Sequence, residues 1–145
     1  MANGDERIVE AIGKASEALE YVERARGELY SFHQLIGHAD RVFGDAADLL
    51  EAAGLANEAE AMRREIVGRN VIDGRWTFQV VEEFDDLYHS VAVDRVRGLE
   101  SRHLGGVRHV FESRLKDERR THGAAEHASR PPAAHAPVVD LDGDR

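Results

Sequence analysis

Residues 8–50 read IVEAIGKASEALEYVERARGELYSFHQLIGHADRVFGDAADLL, and the spacing within this stretch decides the fold. Steps of four and three residues connect Ile8, Ile12, Ala15, Leu19, Val22, Arg26, Leu29, His33, Ile36, Asp40, Phe43, Ala47 and Leu50. That rhythm is the apolar stripe of an α-helix facing other helices. One row of the stripe is polar: Arg26, His33 and Asp40 follow each other at seven-residue intervals. Polar residues in such a seam commonly fix register and partner geometry at some cost in stability. With the long helices antiparallel, the expected neighbours are Glu100 for Arg26 and Asp86 for Asp40. Arg26 could instead snorkel to water.

The rest of the chain agrees with helix. All three prolines (Pro131, Pro132, Pro137) fall in the last fifteen of 145 residues, and Ala, Glu, Arg and Leu dominate what precedes them. Helix is the easiest state for such a chain. Asp5 can cap the first helix, with Glu6 well placed against its dipole, and Gly54 is a natural stop. A continuous helix of that length would extend about 73 Å, so a bend at Gly37 or Gly44 is expected. A short second helix lies between Gly54 and Gly68, with Asn57 and Glu60 in capping-box spacing. Asp73-Gly74 is the one strong turn signal. A hairpin pairing Val71-Ile72 with Trp76-Thr77-Phe78 is conceivable there, but an isolated hairpin is marginal and a simple loop is preferred.

The third helix carries Val80, Phe84, Leu87 and Val91 at helical spacing, with Trp76, Val81 and Tyr88 beside them. Continuing that phase reaches Asp94, Gly98 and Ser101, whereas the apolar residues move to Val96, Leu99, His103, Val107, Val110, Phe111 and Leu115. The slip predicts a kink or break around residues 90–94. Gly105-Gly106 is placed inside the last helix, costing it about 2 kcal/mol relative to alanines. From Gly123 the composition turns to Ala, His, Pro, Gly and Asp, which reads as a disordered tail over 123–145. The expected architecture is therefore all-α. It is a single domain over residues 1–122, with two long bent or broken helices, a short connecting helix and that tail.

Composition restricts function. The formal charge of −9 disfavours nucleic acid, whose phosphates need clustered cations. Residues 1–90 hold 9 basic and 19 acidic side chains (net −10), while residues 91–122 hold 8 and 5 (net +3). The simplest use of that asymmetry is docking of a basic late helix on acidic early ones. There is no cysteine, so neither disulfides nor thiolate chemistry enters. The polar N-terminal stretch lacks a secretory signal, and no run is long and apolar enough to span a membrane, so the cytoplasm is the expected compartment. Arginine outnumbers lysine 17 to 2, which fits a GC-rich, bacterial coding sequence.

Two clusters could carry chemistry. Glu82-Glu83-Phe84-Asp85-Asp86-Leu87-Tyr88-His89 sets Asp86 three residues before His89, and Glu100-Ser101-Arg102-His103 is a true Glu-x-x-His. Such pairs can offer a carboxylate and an imidazole to one cation from one helix face. They partly resemble the motifs of ferritin-like carboxylate-bridged di-iron proteins. On that resemblance Asp86, His89, Glu100 and His103, joined by His33, would hold Fe or Zn. On a straight helix, however, the two pairs stand about 21 Å apart. A solvated acidic face paired with nearby arginines is the simpler reading, and no cofactor is then required. The tail histidines His122, His127 and His135 lack ligand spacing. No phosphate loop or nucleophile elbow is present. Tyr30, Phe32, Phe43, Trp76, Phe78, Phe84 and Tyr88 could line a pocket between helices, though aromatics at helical spacing are core by default.

Residues 68–78 (GRNVIDGRWTF) followed by 82–86 (EEFDD), within a run from Asp5 to about Gly123, resemble a group of small helical proteins of actinobacteria. The resemblance implies a bacterial cytosolic source and transfers no catalytic residue.

The first helix has more apolar surface than one neighbour can cover: Phe32, Ile36, Ala39, Phe43, Ala46 and Leu50 widen its stripe. Self-association across a two-fold axis is the simplest remedy. The leading expectation is a non-enzymatic, self-associating protein-interaction module. A metal-binding helical bundle is the alternative.

Overall fold

In the computed structural model, which describes residues 4–128, one uninterrupted helix, α1 (Gly4–Ala52), forms the spine. It passes through Gly37 and Gly44 without a break and stops before Gly54 as expected, but it is already helical at Gly4, so Asp5 lies inside the first turn beside Glu6 rather than at the cap. Gly54 has φ +83°, a left-handed conformation that glycine adopts without a Cβ clash.

The short helix α2 (Ala56–Glu65) folds back along the end of α1. Arg63 Nη2 reaches both Asp48 Oδ1 (2.7 Å) and Glu51 Oε2 (2.8 Å), and Ala47 and Ala59 are buried. The Asn57–Glu60 capping box does not form. Leu55 is the N-cap, Asn57 is already inside the helix, and Glu60 pairs with Arg64 at 3.5 Å instead. Around Asp73-Gly74 the chain makes a tight turn with a single bridge between Ile72 and Arg75, and no strand forms among the described residues. Trp76 then caps α3 (Thr77–Phe84), its N–H donating to Gln79 Oε1 at 2.8 Å.

The phase slip in the returning helix has a specific cause. Asp85–His89 form a π-helical turn between α3 and α4 (Ser90–Leu104), slightly earlier than the predicted break at 90–94 and without ending the helix. The side chains turned to α1 step by four: Thr77, Val81, Asp85, His89. In an α-helix each such step drifts by about 40°, and a wider i→i+5 turn takes up the extra residue. This corrects the face read from the sequence. Val81 is buried, whereas Leu87 (74 % exposed) and Val91 (62 % exposed) point into solvent.

Gly105-Gly106 also differs from expectation. Gly105 (φ +60°) and Gly106 (φ +78°) end α4 rather than continue it, both donating to the carbonyl of Glu100. A separate helix, α5 (Val110–Arg119), follows and packs across the start of α1. There Gly13 makes the close approach feasible, because a Cβ at that position would lie 2.9 Å from Phe111 Cβ. The tail expected from Gly123 begins with a short 3-10 turn (Ala125–His127), whose imidazole Nδ1 at His127 accepts from Thr121 N at 3.3 Å. Residues 129–145, including His135 and the prolines, lie outside the described residues.

The chain is thus all-α, and among the described residues no helix is long and apolar enough to cross a membrane. Its core is thin. The buried apolar residues are Val9, Ile12, Leu19, Ala47, Ala59, Val81 and Val96, and none of the large described side chains is completely enclosed.

Candidate functional site

The polar row of α1 meets the returning helix in a register different from that expected. Arg26 pairs with Asp85, not Glu100: Nε to Oδ1 is 2.6 Å and Nη2 to Oδ2 is 2.9 Å. This two-pronged geometry is the strong form of an arginine–carboxylate contact. It is about 70 % shielded from water on each side chain, and the guanidinium also lies 5.0 Å from the centre of the Tyr30 ring. The hydrogen bonds from Arg26 hold the Asp85 carboxyl below its ordinary range, and Asp85 in turn raises the guanidinium.

One turn away, His89 Nε2 lies 2.6 Å from Glu23 Oε1. His33 Nδ1 lies 2.7 Å from Thr77 Oγ1 at the start of α3. Asp40 does not pair with Asp86's helix; its Oδ1 accepts the backbone N–H of Gly68 at 2.7 Å, tying the loop after α2 to the spine. Each member of the row therefore fixes a different piece of the returning chain: Asp40 the loop, His33 the start of α3, Arg26 the π-helical turn.

The residues singled out for a metal are not gathered. His33 and His89 contact Thr77 and Glu23 respectively, Asp86 and His103 are exposed, and Glu100 is 2 % exposed with Arg97 Nη1 at 2.8 Å from its Oε2. Among the described residues, the trio whose ligand atoms lie within 4.8 Å of one another is Glu20, His109 and Glu112, all exposed. Sequence spacing gave no hint of this trio, because it joins α1 to the start of α5 across a packing contact.

What the fold does build is a groove. Where the loop after α2 crosses α1 and α3 begins, a cavity of about 650 Å³ opens to solvent. Its apolar walls are Phe32, Ile36 and Phe43 of α1, Ile66 and Val71 of the loop, and Trp76 and Phe78 at the start of α3. Trp76 and Phe78 meet edge to face at 6.5 Å, and the indole N–H donates to the carbonyl of Arg69 at 3.1 Å, so the wall is held by its own contacts. Of the aromatics noted in the sequence, Phe32, Phe43, Trp76 and Phe78 line this groove. Phe84 and Tyr88 instead stack on each other at 5.6 Å on the returning helix.

The groove runs on into open surface. Leu35, Val42 and Leu49 are 67 %, 50 % and 72 % exposed. With Phe32, Ala39 and Ala46 they form a second row at four-and-three spacing, one residue offset from the row that faces the returning helix. The width of the apolar stripe is legible in the sequence, but which residues form this separate outer row emerges only from what the returning chain leaves uncovered. Its regular spacing was the available signal. No family model, curated protein or solved structure matches the chain.

Proposed function

We propose that the chain is a helical protein-interaction module that self-associates through the outer face of the second half of α1. The carrying observation is the solvent-exposed row from Phe32 to Leu49 continuous with an aromatic groove, in a chain whose own core is thin. Exposed apolar patches of this extent mark contact surfaces. Of the polar groups lining the groove, which include Arg41, Arg69 and Asn70, His33 is engaged by Thr77 and Asp40 by Gly68. Those contacts hold the wall, and the Thr77 hydroxyl that meets the imidazole belongs to a buried residue. A bacterial cytosolic setting fits the composition.

Multi-angle light scattering on the chromatographed protein tests the reading. A mass of twice 16.1 kDa or a higher multiple at micromolar concentration is expected. A monomer across the accessible concentration range would refute it.

A further inference from the structure

The outer row of α1 specifies a second copy of this chain, and also which way round that copy lies. We infer that two chains pair α1 to α1 in antiparallel orientation, with the two-fold axis passing between Ala39 and Val42. The inference rests on the self-association reading above and adds its face, direction and register.

Three observations carry it. The first is the sequence of sizes along the row: Phe32, Leu35, Ala39, Val42, Ala46, Leu49. In an antiparallel pair Ala39 meets the partner's Val42, Ala46 meets the partner's Leu35, and Phe32 meets the partner's Leu49. Small faces large in the central layers, as close packing requires. A parallel pair would stack Ala39 on Ala39 and Ala46 on Ala46, leaving two thin layers.

The second is what flanks the row. On one side stand Ile36 and Phe43 at the rim of the groove; on the other stand His38 and Asp45, both exposed. Antiparallel pairing brings like flanks together. Apolar rim then meets apolar rim, and His38 meets the partner's Asp45 twice, once on each side of the axis. Parallel pairing would set the polar flank of each chain against the apolar rim of the other. Within the chain, among the described residues, neither His38 nor Asp45 has a hydrogen bond or ion pair, so both are available.

The third is extent and access. α2 covers the opposite side of α1 through Ala47 and Asp48, and α5 packs near Gly13, so neither of these helices obstructs the row among the described residues. Its exposed side chains, with the aromatic rim of the groove, offer on the order of 700 Å² of surface, close to the ~800 Å² that each partner of a standard dimer contributes.

The absence of cysteine makes the test clean. Single Phe32→Cys and Leu49→Cys variants are prepared, then mixed and oxidised under mild conditions. Both positions are solvent-exposed, so neither substitution removes a core residue. The antiparallel register predicts a mixed 32–49 disulfide dimer. It also predicts little self-linking of Leu49→Cys, whose two thiols would be about 25 Å apart along the axis. Efficient self-linking of Leu49→Cys overturns the direction assigned here. A protein that is dimeric by light scattering but gives neither product overturns the assigned face while leaving self-association standing. A monomeric protein overturns both.

Discussion

The two halves of α1 are one helix with the same apolar rhythm, yet they are covered differently. In the first half Val9, Ile12, Ser16 and Leu19 are buried beneath α4 and α5; in the second only Ala47 is, while Leu35, Val42 and Leu49 stand open. Helical hydrophobicity alone therefore does not tell a covered face from an open one. What distinguishes them is how much chain returns to each segment. α4 and α5 both reach the first half, whereas the second receives the ten residues of α2, the loop that follows it and the start of α3.

An identical chemical insult should separate the two halves most sharply. Ile12→Asp buries an unpaired carboxylate and is expected to cost on the order of 4 kcal/mol, enough to abolish cooperative unfolding in a chain with so small a core. Circular dichroism with thermal melting reads this. Leu35→Asp with Val42→Asp should leave the helical spectrum intact and weaken self-association at least a hundredfold in sedimentation velocity. Equal loss of structure from both variants would erase the distinction.

The first half can be probed more gently at Gly13. Gly13→Val places a branched side chain where Phe111 already sits and should displace α5 at a cost of about 1–3 kcal/mol. Hydrogen exchange is expected to rise over 110–119 and to change little over 77–104.

The Arg26–Asp85 contact joins the halves at the π-helical turn and should appear as a pH dependence. Because Asp85 titrates below its ordinary value in the folded chain, its contribution is complete above the unfolded carboxylate pKa, near 3.8. It is lost as pH falls through the lower folded value. Comparing melting temperatures at pH 7 and pH 3, Asp85→Asn should be less stable than the parent at pH 7, and the gap should narrow at pH 3. An unchanged gap would mean that the contact does not contribute through its charge. The smallest effect expected is at the flank of the outer row: His38→Glu should weaken dimerisation roughly tenfold by facing Asp45 with a like charge, and adding Asp45→Lys should restore it.

The elements were more legible in the sequence than their pairing. The extent of α1, the stops at Gly54 and Gly68 and the irregularity in the returning helix all follow from local spacing and glycine positions. The register did not. Arg26 faces Asp85 rather than Glu100, an offset of about four helical turns. A repeating stripe fits a neighbour equally well at several offsets, and the deciding geometry lies elsewhere. α2 folds back along α1, Gly68 is anchored to Asp40, and so Thr77 arrives opposite His33. The groove was hidden for the same reason. Its aromatic residues were visible, but only the return of the loop after α2 puts Trp76 and Phe78 across from Phe32 and Phe43. Gly105-Gly106 was misplaced because a glycine pair at the end of an amphipathic run reads equally as a weak spot or a terminus. The chain takes the terminus, with both N–H groups on the carbonyl of Glu100.

Amide hydrogen exchange of the full chain at two protein concentrations a hundredfold apart tests the central claim most directly. If the outer row is an interface, protection over residues 32–49 increases with concentration while that over 9–19 stays constant. Protection over 32–49 that is independent of concentration, with the protein monomeric at both, would contradict it.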